Sequence, residues 1–212
     1  MKKSLTLALL LSIVAYPAWA ATNVWIFYGA GPPIFSAGMD VIARKARAIS
    51  GVGHVSTHAY YDTQTVANQI RASSHSDKTV VVGYSCGGNA AAVIAQGVSE
   101  RSVYVLGIQP SLWCGTYQLP GNVPYGQDTY GSCLQTFGLG CAKYYGAAQK
   151  IVLIMRPDLH LQADDDPNAQ NDVLGAIYAI ANPSRAHIAI NRLARETNFV
   201  RTNGQKVWLR ER

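Results

Sequence analysis

Two hydrophobic patterns alternate along most of the chain. Short runs rich in Val, Ile and aromatic residues, "NVWIFY" (23–28), "HVSTHAYY" (54–61), "KTVVVGY" (78–84), "SVYVLGI" (102–108) and "KIVLIM" (150–155), read as five β-strands. Between them lie stretches with helical spacing: "SAGMDVIARKARAI", "TQTVANQIRASS", with Val66, Ala67 and Ile70 on one face, and "NAAAVIAQGV". The run "VVV" within 78–84 has no polar alternation, as expected of a strand covered on both faces. Strand and helix in regular alternation predict βα units and a mainly parallel five-stranded sheet flanked by helices.

After the fifth strand, Asp166-Pro167 and Asn182-Pro183 each set a capping residue before a proline, so helices are expected over about 167–181 and 183–196. The end, "TNFVRTNGQKVWLRER", carries Asn203-Gly204 between β-prone arms and predicts a C-terminal hairpin. Residues 109–149 break the rhythm. They hold prolines, glycines, aromatics and three cysteines, and read as a long functional or stapled loop or lid.

Composition narrows the setting. The chain has 212 residues, room for a single domain with a sizeable core. It begins with Lys2 and Lys3, an apolar run, and Ala18-Trp19-Ala20 before Ala21, the order of a secretory signal peptide over 1–20 with a small-x-small cleavage site. The mature domain is then 21–212, in the periplasm or outside the cell, with no stable membrane span after processing. Losing the two lysines lowers the net charge from +6 to +4. The remaining basic residues are scattered and form no stripe interleaved with aromatics, which argues against nucleic acid as a partner. Cys86, Cys114, Cys133 and Cys141 show no CxxC or Cys/His spacing for a metal. In an exported chain they permit disulfides in three pairings, and at least one is expected among Cys114, Cys133 and Cys141, a staple within the long loop. No cofactor is implied.

The candidate chemistry sits at Gly83-Tyr84-Ser85-Cys86-Gly87, after a buried strand and before a helix. A turn from strand to helix this tight needs small residues two places either side of its centre. Centred on Ser85 both flanking residues are glycine; centred on Cys86 one is Tyr84. Ser85 is therefore the candidate nucleophile.

These features resemble the small bacterial α/β-hydrolases, the lipase- and cutinase-like serine hydrolases. The matching pieces are "FYGAG" with "FSAGMD" behind it, the elbow "GYSCGG", and "HLQADDDPNAQNDVLGAI" after the last strand, spanning about 23–181. The resemblance implies a three-layer α/β-hydrolase-like fold and an oxyanion hole from two backbone N–H groups. One belongs to Cys86, the residue after the nucleophile, and the other to Ala30 in the turn after the first strand.

A serine needs a base. His54, His58 and His75 lie upstream of the elbow. His160 follows the fifth strand by a few residues, where the chain order Ser–acid–His places a base, whereas His187 falls inside a helix. His160 is favoured. Asp128, the one acidic residue between 109 and 149, is then the default acid; the rival pair is Asp158 with His187. The run Asp164-Asp165-Asp166 is expected to open a helix and stay solvated. Gln109 occupies a place where an acid could stand.

Two classes of function remain. The first is an exported serine hydrolase cleaving an ester or thioester of a small or lipid-like acyl substrate through a Ser85 acyl-enzyme. In it, Trp113, Tyr117, Leu119, Tyr125, Tyr130 and Phe137 line an acyl pocket or lid. The second is a non-catalytic exported binding domain that keeps the fold.

Overall fold

The computed structural model describes residues 20–31, 36–134, 139–156, 159–184, 198–202 and 205–210, the last two ranges as backbone only. The signal-peptide segment and the helix expected over 183–196 therefore lie wholly or mostly outside the described residues. The elements run β1 (Thr22–Phe27), α1 (Ala37–Arg47), β2 (Val52–His58), α2 (Thr63–Ala72), β3 (Lys78–Tyr84), α3 (Cys86–Gly97) and β4 (Val103–Ile108). Then come β5 (Gln118–Leu119), β6 (Gly126–Tyr130), β7 (Tyr145–Gly146), β8 (Ile151–Met155), a 3₁₀ turn (His160–Gln162) and α4 (Pro167–Ala181).

Six strands in the order β2-β1-β3-β4-β6-β8 run parallel to their neighbours. Helices cover both faces, which explains the unbroken apolar strands. On one face Val66 and Ile70 of α2 and Ala91 and Ile94 of α3 pack with Trp25, Phe27 and Val81. On the other, Met39 and Ile42 of α1 and Val173 and Ile177 of α4 pack with Val24, Ile26, Val80 and Val82. Alternate residues of β1 and β3 thus feed opposite cores, as the two-residue period of a strand requires. Among the described residues no helix is long and apolar enough to cross a membrane.

The architecture departs from the sequence reading at three places. The segment 109–149 is not one loop: it supplies β6, a sixth sheet strand between β4 and β8, and the β5·β7 pair. "GQDTY" lacks a β-rich signature, yet all five residues are buried, held by backbone pairing to strands on both sides. The second strand stops at His58, because Asp62 accepts from the Ala59 N–H and Asp62 N–H donates back to Ala59 O, a turn that opens α2. Finally, α3 begins at Cys86, three residues before the helical stretch expected from Asn89, directly on the turn after β3.

Because the strands are parallel, the ends of β1, β3, β4 and β8 open on one edge of the sheet. That edge carries the candidate chemistry, as open α/β sheets dispose it.

Candidate functional site

Ser85 is the hinge between β3 and α3. Its backbone has φ 53° and ψ −124°, a conformation uncommon for a residue with a side chain. The glycines on either side make it possible. A Cβ on Gly83 would lie 2.0 Å from Gly87 O, and one on Gly87 would lie 2.5 Å from Phe27 O. The turn is pinned by Ser85 N–H donating to Ile108 O at 3.0 Å and Gly88 N–H donating to Ser85 O at 2.9 Å. The small-residue spacing in the sequence thus has the steric cause inferred for it.

His160 reaches the serine from the turn that follows β8. Its Nε2 lies 2.8 Å from Ser85 Oγ. The 3₁₀ turn that carries it is held by Tyr84, whose hydroxyl donates to His160 O and whose ring lies over the imidazole at 5.2 Å between centroids. Behind it, Arg156 pairs with Asp172 of α4, and Asp166 caps α4 through Asn168 N–H and Ala169 N–H. Burial lowers the His160 pKa to about 4, so the imidazole is neutral at physiological pH and free to accept a proton.

The other ring nitrogen meets an amide. His160 Nδ1 lies 3.1 Å from Gln109 Oε1, so Nδ1 carries the hydrogen and Nε2 is left as acceptor toward the serine. Asp128, expected as the acid, is not there. It pairs with Gly107 across the β4–β6 ladder, accepts from Tyr144 N–H at 3.1 Å through Oδ2, and leaves Oδ1 with no partner. Full burial raises its pKa well above the usual carboxylate range and favours the neutral acid. The rival residues Asp158 and His187 lie outside the described residues.

Of the two residues expected to donate to an oxyanion, Cys86 is the first residue of α3, so its amide sits at a helix N-terminus. Its sulfur is bonded to Cys114, which removes it as a competing nucleophile. Ala30 is exposed in the turn after β1; neighbouring Gly29 donates to Ser36 Oγ at 3.1 Å, and a Cβ on Gly29 would lie 3.1 Å from Ser85 Cβ. That turn therefore flanks the serine.

Among the described residues, the side chains expected to line a pocket in 109–149 do not gather into one. Leu119 is fully buried in one core, Tyr117 packs against it, Tyr125 packs against the other core and Tyr130 is buried in β6. Trp113 is 74% exposed, and Phe137 lies outside the described residues.

Sequence reasoning missed three supports. Asn89 in α3 accepts from Ser111 N–H and donates to Ser111 O, Gly115 O and Thr116 O, fastening the loop after Gln109. Gly140, held beside the Cys133–Cys141 disulfide, lies so close that a Cβ there would be 2.3 Å from both Gln109 Oε1 and His160 Nδ1. Asp164, expected to be solvated, is fully buried: its Oδ2 accepts from Gly38 N–H at 3.0 Å at the start of α1. Desolvation raises its pKa to about 7. No signal short of the fold marks these three, because each acts on residues distant in sequence.

No family model, curated protein or solved structure matches the chain. Among the described residues no cluster of His, Cys, Asp or Glu could hold a metal ion.

Proposed function

We propose that this protein is a serine hydrolase of α/β-hydrolase type that cleaves esters or thioesters through an acyl-enzyme on Ser85. The observation that carries the reading is the 2.8 Å contact between Ser85 Oγ and the accepting nitrogen of a neutral His160, at a strained turn on the carboxyl edge of the sheet. In the reaction, Ser85 Oγ attacks the acyl carbon while its proton passes to His160 Nε2. The amides of Cys86 and Ala30 stabilise the oxyanion, and His160 then activates water against the acyl-enzyme. No cofactor takes part in this scheme.

The rest of the chain fits the same reading. Its plan is a single domain over 21–212 with a C-terminal hairpin. Residues Asn198–Thr202 and Gln205–Arg210 pair antiparallel, and the Asn203-Gly204 turn lies outside the described residues. The disulfides Cys86–Cys114 and Cys133–Cys141 are compatible with a periplasmic or extracellular location after removal of residues 1–20.

A fluorophosphonate probe tests the proposal. The folded chain is expected to take up one equivalent, and Ser85→Ala to take up none. Absence of labelling in folded wild-type protein would instead favour a binding domain that keeps the fold without the chemistry.

A further inference from the structure

A carboxylate beside a catalytic histidine does two things: it holds the ring, and it offsets the positive charge that forms as the ring takes the serine proton. Gln109 can do only the first. Its side chain is fully buried, and its backbone lies at φ 46°, in the left-handed region that side chains seldom adopt. Gln109 N–H donates to Thr129 O at 2.5 Å, and Asn89 secures the loop that follows. Both ring nitrogens of His160 are taken, Nδ1 by Gln109 and Nε2 by Ser85. The backbone at Gly140 closes over the pair.

We infer that Gln109 is the positioning residue for His160 and that, by supplying an acceptor without a counter-charge, it narrows the site to acyl donors with readily departing leaving groups, thioesters and aryl esters ahead of alkyl esters. The inference rests on the serine hydrolase reading above.

The chemistry follows from where charge collects. Attack forms the Ser85 Oγ–C bond as the hydroxyl proton moves to Nε2, leaving a buried imidazolium that faces an amide dipole. An unpaired buried charge is costly, so this base is weak. With a thioester, the C–S electron pair leaves on sulfur as a thiolate that needs no proton in the transition state, and the imidazolium then loses its proton to solvent. Water adds to the acyl carbon, gives a proton to Nε2, and the Oγ–C bond breaks as Ser85 recovers its hydrogen and the carboxylic acid departs. Leaving-group pKa separates the substrates: about 8.5 for a thiol and about 10 for a phenol, against alkoxides close to the roughly 15.7 of water. Burial of His160, with its pKa lowered to about 4, agrees with a base that lacks a counter-charge. Among the described residues no charged group acts on the ring, and burial alone accounts for its lowered pKa. Tyr84, stacked on the ring, is held neutral by burial, and Asp164 turns its Oδ2 to Gly38 N–H.

The test is turnover of three butyrates, the N-acetylcysteamine thioester, the p-nitrophenyl ester and the ethyl ester, by wild type and Gln109→Glu, with fluorophosphonate labelling alongside. Wild-type kcat/KM is expected to be high for the thioester and for the p-nitrophenyl ester, whose nitro group makes its phenolate leave more readily than an ordinary phenolate, and steeply lower for the ethyl ester. Gln109→Glu restores the counter-charge. It should raise ethyl ester turnover roughly tenfold, and thioester turnover by less, if basicity rises two to three pH units with partial proton transfer. Its acid limb should move from near pH 4 toward 6.5. If Gln109→Glu does not fold, the wild-type series decides alone. Labelling at Ser85 with equal wild-type turnover of all three esters overturns the inference and leaves the hydrolase reading standing. No labelling and no turnover by folded wild type overturns both.

Discussion

Gly140 presses on the contact that sets the orientation of His160, and Gly140→Ala measures how much that orientation matters. The added methyl carbon would fall 2.3 Å from Gln109 Oε1, 2.3 Å from His160 Nδ1 and 2.9 Å from Gln109 Cβ. Comfortable non-bonded contacts lie near 3.5 Å, so the loop or the His160–Gln109 pair must give by about 1 Å. The Cys133–Cys141 disulfide and the Gly131 N–H to Gly140 O bond at 2.8 Å restrain the loop, which shifts the displacement onto the side chains. A misplacement of this size costs about 10²-fold in rate, or about 2.7 kcal/mol of barrier. Overpacking adds a stability loss of about 1–3 kcal/mol, visible as a drop of several degrees in Tm. The assay is kcat/KM on one activated ester, with Tm by circular dichroism on the same preparation. A folded Gly140→Ala variant with wild-type kcat/KM would refute the claim that this geometry governs the proposed base.

His160→Ala should lower turnover about 10³-fold or more, as loss of a proton-transferring residue does, whereas His187→Ala should have only a modest effect; purified variants on the same ester give the ranking. Asp164 has its folded pKa raised to about 7 from an ordinary value near 3.8, so the folded state holds a proton that the unfolded chain releases across that window, and stability is lost as pH rises through it. Asp164→Asn removes this loss, and its stability relative to wild type should climb between pH 4 and 7 in urea titrations. Non-reducing digestion and mass spectrometry should recover the peptides of Cys86 with Cys114 and of Cys133 with Cys141, and four alkylatable thiols in the native protein would contradict that pairing.

The legible parts of the molecule are those whose cause is local. The turn at Ser85 announces itself because Gly83 and Gly87 must be small for backbone to cross backbone, and α4 begins at Pro167 because Asp166 caps it. His160 was readable from its distance past β8. The residue that meets the other ring nitrogen of His160 was not. The expectation of a carboxylate led to Asp128, the sole acidic residue in its segment. Only the register of β6, itself hidden in a polar "GQDTY", shows that Asp128 pairs with Gly107, where it meets the Tyr144 amide. Gln109 stood at the right place in the sequence, but an amide carries no charge signal there. Gly140 and Asp164 act across 20 residues or more, on His160 and on α1, so nothing near them in the chain records their role.

The account turns on Ser85 carrying an acyl group during turnover. Mixing the protein with excess p-nitrophenyl butyrate, quenching in acid within the first turnovers and digesting with pepsin gives the direct measurement. The peptide containing Ser85 should carry one butyryl group, at a stoichiometry approaching one per chain if deacylation limits the rate, and the adduct should vanish in Ser85→Ala. An adduct on any other residue, or hydrolysis that persists undiminished in Ser85→Ala, would contradict it.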